Sequence, residues 1–148
     1  MAKQGATVSP EDRTVEVVTV PVLKTQLTEA LQALVTWVER CQTPTFFVFE
    51  TQLVPKVLAL GGLVVQLFLS LRHERFEAQH SSAGPGYKRQ GPFGREIGTF
   101  FGKARYARTY FYRAGQGYYP LDNELGLTRD GFSMLVRSYA SRLATKVS

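Results

Sequence analysis

Between Leu53 and Leu71 almost every position is apolar, interrupted only by Pro55, Lys56, Gly61-Gly62, Gln66 and Ser70. Leu53, Val57, Leu60, Val64, Leu67 and Leu71 step by four, three, four, three and four, an a/d heptad register. Leu58, Leu63, Val65, Phe68 and Leu69 are apolar as well, so the stripe is far wider than a coiled-coil seam. Such width predicts a helix buried at the centre of the fold. The pattern runs from Glu50 to Gln79, with Thr45 placed to cap it and Pro55 either starting or kinking it. Gly61-Gly62 weakens the interior by about 1 kcal/mol per glycine and predicts the close approach of another backbone. The run Val57 to Leu71 is 15 residues long. That is short of the minimum of about 17 for a membrane span, so a buried helix is expected and a membrane partner is not.

The rest of the chain arranges itself around this helix. Residues 1–16 read as a flexible polar arm without the apolar stretch of a signal peptide. Val17 to Val22 is β-prone, and Pro21 restricts it to an edge strand. From Leu23 a second helix is expected, with Leu27, Leu31, Leu34, Val35 and Val38 on one face and Trp37 beside it, ending near Cys41 before Thr43-Pro44. Residues 17–80 thus form a helical core. Residues 81–94, dense in Gly, Pro and Ser, read as a linker without regular structure. Residues 95–119 read as a β-hairpin with arms Glu96–Phe101 and Ala104–Arg113 about a Gly102-Lys103 turn, closed by Gly115 and Gly117. Residues 120–148 hold a Pro-Leu-Asp turn and a last helix, capped by Thr128 or Ser133, with Val136, Tyr139, Ala140, Leu143 and Val147 on its apolar face. The expected class is α+β, mainly helical: a long central buried helix, two flanking helices and a basic Arg/Tyr-rich hairpin.

Charge is concentrated in that hairpin. Of 18 basic residues, seven lie between Gly84 and Tyr119 against the single acid Glu96, and the chain's net charge is +6. The remainder has as many acids as bases. The same segment carries ten of the 18 aromatic residues. An Arg/Tyr patch on an otherwise neutral protein points to a polyanion, nucleic acid first. Arginine binds phosphate through paired hydrogen bonds, tyrosine stacks on bases, and a two-stranded ribbon fits the major groove. The candidate nucleic-acid residues are Lys88, Arg89, Arg95, Lys103, Arg105, Tyr106, Arg108, Tyr110 and Arg113. The competing reading is an amphipathic sheet whose tyrosines face a helix and whose arginines are merely solvated.

Other constellations carry less. His73, Glu77 and His80 share a helix face at metal-ligand spacing, but no fourth ligand is suggested. Asp122 and Glu124 sit two apart in a turn, where Asp122 is expected to hydrogen-bond locally rather than to catalyse. Cys41 is the single cysteine, so no intrachain disulfide forms and a reducing, cytoplasmic setting is expected. Gly84-x-Gly86 and Gly115-x-Gly117 lack the setting of phosphate loops. No catalytic residue, metal or cofactor is expected.

The run EIGTFFGKARYARTYFYRAGQGYYPLDNELGL, Glu96 to Leu127, resembles the N-terminal region of the Kra-group insertion-sequence transposases, bacterial DDE enzymes with an RNase H-like catalytic domain. The most specific element is Tyr119-Pro120-Leu121-Asp122-Asn123-Glu124-Leu125-Gly126-Leu127. A serine-started helix (Ser133 to Val147) and a long upstream helix (Phe49 to Gln79) also match the family pattern. The resemblance implies DNA binding and a structural place for Asp122. The family's catalytic carboxylates lie downstream of this region. The chain is therefore expected to bind DNA without cutting or joining strands, as a fragment, a truncated frame or a domesticated remnant. The alternative is a helical oligomerisation module without nucleic-acid binding, dimerising through the Leu53–Leu71 helix.

Overall fold

The computed structural model describes residues 16–80 and 82–147, so the expected arm at 1–16 lies, but for Glu16, outside the described residues. Among the described residues helix outweighs strand by 57% to 22%, which makes the fold α+β and mainly helical. The order is α1 (Val20–Arg40), α2 (Phe46–Gln79), β1 (Lys88–Thr99), β2 (Gly102–Arg113), β3 (Gln116–Tyr118), α3 (Pro120–Leu125) and α4 (Met134–Val147).

Helix α1 begins at Val20, inside the expected edge strand. Pro21 falls in the first turn, where its fixed φ suits a helix and its missing N–H has no partner to lose. Burial of Val20 and Leu23 then holds that turn down. Thr45 caps α2, its Oγ1 accepting from the Val48 backbone N–H at 3.2 Å. Pro55 lies inside α2 rather than at its start. The two helices fold back on each other through Cys41–Thr45; Trp37 stacks on Phe49 with ring centroids 5.2 Å apart, and Lys56 Nζ lies 4.9 Å from the Trp37 ring centroid.

The sheet is antiparallel in the order β1-β2-β3. Strand β1 starts at Lys88, within the segment expected to be an irregular linker. It is an edge strand, and Gly91-Pro92 falls where the register shifts between Gln90 and Phe93. A bulge on an edge is where a proline costs no ladder hydrogen bond. The hairpin turn falls on Phe100-Phe101, two residues before the expected pair, with Thr99 opposite Gly102. Gly115 and Gly117 do not end the sheet: Ala114-Gly115 makes a turn, Gly115 takes φ +74°, and β3 returns along β2.

Both faces of the sheet are covered. On one, Thr109 and Phe111 of β2 meet Glu77 and Phe76 of α2. On the other, Arg95, Tyr106 and Arg108 meet Asp122 of α3. The core cluster joins Leu69 and Phe76 of α2 with Ile97, Ala104, Tyr106 and Phe111 of the sheet and Leu121 of α3. Helix α2 is therefore central but not buried throughout. Its buried residues are Leu69, Ser70 and Phe76, all in its C-terminal half. It is long and apolar enough to cross a membrane by length and composition, with mean hydropathy 1.9 over its best 18-residue window, and only 11% of that window is buried.

Candidate nucleic-acid interface

The hairpin's alternation decides which basic side chains reach solvent. Successive residues of a strand point to opposite faces, and cross-strand partners share one. Arg95 pairs with Tyr106 and Phe93 with Arg108, so Arg95, Tyr106 and Arg108 stand together on the α3 face. There Asp122 gathers them. Arg95 Nη1 donates to Asp122 Oδ2 at 2.9 Å, while Arg108 Nη1 and the Tyr106 hydroxyl also donate to that carboxylate. Arg95 Nη2 donates to the Thr128 carbonyl at 2.6 Å, and Arg108 lies over the Tyr119 ring at 3.4 Å from its centroid. The arginine side chains are 7% and 8% exposed. Tyr106 is fully buried. Burial and the neighbouring carboxylate hold its hydroxyl far above the usual phenol range, so it remains a donor.

The local sequence explains why Asp122 arrives there. Pro120 opens α3 at its first turn. Gly126 closes it in the left-handed conformation, φ +69°, and Leu127 N–H bonds back to the Asp122 carbonyl at 2.8 Å. Buried Leu121 anchors this short turn, and the Asp122 carboxylate faces the sheet. The chain then passes β1, where Gly98 N–H donates to the Gly131 carbonyl at 2.7 Å and Ser133 N–H to the Gly98 carbonyl at 2.9 Å. Ser133 Oγ accepts from Val136 N–H at 3.3 Å and caps α4.

The remaining candidates divide between the two ends of the ribbon. At the turn end, exposed Lys103 and Arg105 share Glu96, with Lys103 Nζ 3.3 Å from Oε1 and Arg105 Nε 3.0 Å from Oε2. Hydrogen bonding from Arg105, first, holds the Glu96 carboxyl below its usual range. At the open end, Lys88 and Arg113 are exposed. Arg113 lies over the Tyr87 ring at 4.8 Å and donates to Gln116 Oε1 at 2.9 Å. Tyr118 meets the edge of Tyr87 at 5.6 Å between centroids. Arg89 is turned inward, bonded to Glu77 and to the His80 carbonyl. Tyr110 is buried between Tyr112 and Tyr119, and burial raises its hydroxyl pKa.

The structure thus takes Arg95, Tyr106, Arg108 and Tyr110 off the accessible surface. Their role is in holding the sheet to α3 and its neighbours. Lys88, Lys103, Arg105 and Arg113 remain open to a ligand. Sequence reasoning missed Asp122 as the partner of the two inner arginines, and missed Tyr87 and Tyr118 beside Arg113. The strand alternation already put Tyr106 and Arg108 on one face, but the acid that neutralises that face comes 14 residues after Arg108. Glu77, weighed above as a metal ligand, is committed to Arg89 and Thr109. Among the described residues no group of three His, Cys, Asp or Glu side chains is arranged to hold a metal.

No family model, curated protein or solved structure matches the chain.

Proposed function

We propose that this chain is a transposase-type DNA-binding region that works in the cytoplasm without strand-transfer chemistry of its own. The observation that carries the reading is the placement of the four exposed cations at the two ends of one β-ribbon. Ten residues separate Lys103 from Arg113, roughly 33 Å of strand at about 3.3 Å per residue. One turn of B-DNA advances roughly 34 Å. A ribbon laid along the duplex brings both basic ends to phosphates one turn apart, with Tyr87 and Tyr118 available to stack or hydrogen-bond. Four contacts set an upper limit of about 3.6 on the magnitude of the salt slope, well below what seven would give. The test is fluorescence anisotropy on duplex DNA across a salt series. Binding with a slope between about −2 and −3.6 is expected, and alanine at Lys88, Lys103, Arg105 and Arg113 together removes it. A flat slope, or binding unchanged in that variant, refutes the reading.

A second reading, self-association, is favoured by one observation: Val54, Val57, Val64, Phe68 and Leu71 of α2 are each between 37% and 52% exposed. A lipid bilayer fits this surface poorly. A Cβ on Gly61 would overlap the Phe101 ring, and the Gln66 side chain accepts from Arg105 N–H at 3.1 Å. The middle of the apolar run is thus fastened to the hairpin tip. A spanning α2 would draw Glu96, Lys103 and Arg105 into hydrocarbon, at about 2.5–3.5 kcal/mol for each charge near the centre.

A further inference from the structure

We infer that the free face of α2 is a self-complementary seam on which a second copy of this chain docks with its α2 antiparallel. This deepens the self-association reading and rests on it. The exposed apolar residues keep only Val57, Val64 and Leu71 of the register read from sequence, whose Leu53, Leu60 and Leu67 are half-buried. They are Val54, Val57, Val64, Phe68 and Leu71, an a/d heptad in its own right with Gly61 at the a position between Val57 and Val64. The Phe101 ring, 37% exposed, stands where Gly61 has no side chain and completes the row.

Antiparallel pairing of a with d positions fixes the layers. Val54 meets Leu71 of the second copy, Val57 meets Phe68, and Gly61 with its Phe101 cover meets Val64. Each layer recurs on the other side of the two-fold axis, which puts a large residue against a smaller one in every outer layer. The next layer outward is the deciding one: Glu50 falls opposite Arg75, twice. Both are exposed, and neither has an ion-pair partner among the described residues. A parallel pair would oppose Glu50 to Glu50, Arg75 to Arg75 and Phe68 to Phe68, with like charges at both ends. Charge complementarity therefore selects both the occupant, a second copy, and its direction.

The experiment is sedimentation equilibrium of the full chain over a concentration series, with circular dichroism confirming that each variant is folded. A reversible dimer is expected, and Val57→Glu, at a position already exposed, should leave a folded monomer. Glu50→Arg alone and Arg75→Glu alone should each weaken dimerisation by roughly tenfold, since each replaces two attractive layers by two repulsive ones. The double variant Glu50→Arg/Arg75→Glu should recover the parental affinity. A parental chain that stays monomeric overturns self-association altogether. A dimer whose double variant is no tighter than the singles overturns the antiparallel register and leaves self-association standing. Flotation of the parental chain with phosphatidylcholine vesicles assigns the seam to lipid and overturns the proposal.

Discussion

Replacing Asp122 by alanine tests the interior of the sheet most directly. The carboxylate is the common acceptor for Arg95, Arg108 and Tyr106. Its removal leaves two guanidinium groups at the bottom of a site whose side chains are 7% and 8% exposed. Arg95 keeps the Thr128 carbonyl and Arg108 keeps the Tyr119 ring, so the loss is of the counter-charge rather than of every contact. Removing one partner of a buried pair costs about 3–5 kcal/mol. Domains have about 5–15 kcal/mol in total, so about a fifth or more of the stability is at stake. At about 2–4 °C per kcal/mol for a chain of this length, the melting temperature should fall by roughly 6–20 °C. Thermal and urea unfolding followed by circular dichroism measure this. Glu124→Ala is the control, because Glu124 meets Arg72 at 3.6 Å on the surface; a loss below about 1 kcal/mol is expected there. An Asp122→Ala protein within about 1 kcal/mol of the parent would show that the arginines find solvent without it, and would return them to the list of available phosphate ligands.

Two further outcomes follow from the interior of α2. Gly61→Ala should destabilise the protein, although alanine alone would favour a helix by about 1 kcal/mol, because its Cβ meets the Phe101 ring. In a Phe101→Ala background the same substitution should become stabilising, and a double-mutant cycle by urea unfolding measures the coupling. His73 has its pKa lowered, chiefly by burial. The folded state therefore resists protonation that the unfolded chain, near 6.5, accepts. Stability is full above about pH 6.5 and declines as pH falls through the folded value. His73→Leu should flatten that part of the stability profile, and an unchanged slope between roughly pH 6.5 and 5 would refute the assignment.

The mainly helical α+β class was legible because it rests on periodicity, and the two long helices and the hairpin lie close to their expected places. Exposure was not legible. The Leu53–Leu71 stripe is wide enough to be a core, yet sequence alone does not say how many elements exist to cover it. Here α1 and the sheet cover two sides of α2 and leave the third open. The site failed to read for a related reason. Composition counts arginines without regard to face, and the strand register sets Arg95 and Arg108 on one face, where a distant acid neutralises them. The early start of β1 was hidden by Gly91-Pro92, which reads as a breaker locally but is harmless on an unpaired edge.

The distance along the chain between Arg95 and its carboxylate has a consequence for the order of assembly. The hairpin closes through a two-residue turn, a contact that can form within microseconds. Its inner face, however, holds two cations whose shared counter-ion is 27 residues beyond Arg95, and the carbonyl acceptor of Arg95 is 33 beyond it. Until Pro120–Leu125 docks, that face stays hydrated, and the ribbon can dry only on its α2 face. The nine residues from Tyr119 to Leu127 therefore act as a latch on the whole α+β unit. A chain cut short of them should hold a formed hairpin whose α3 face is still wet.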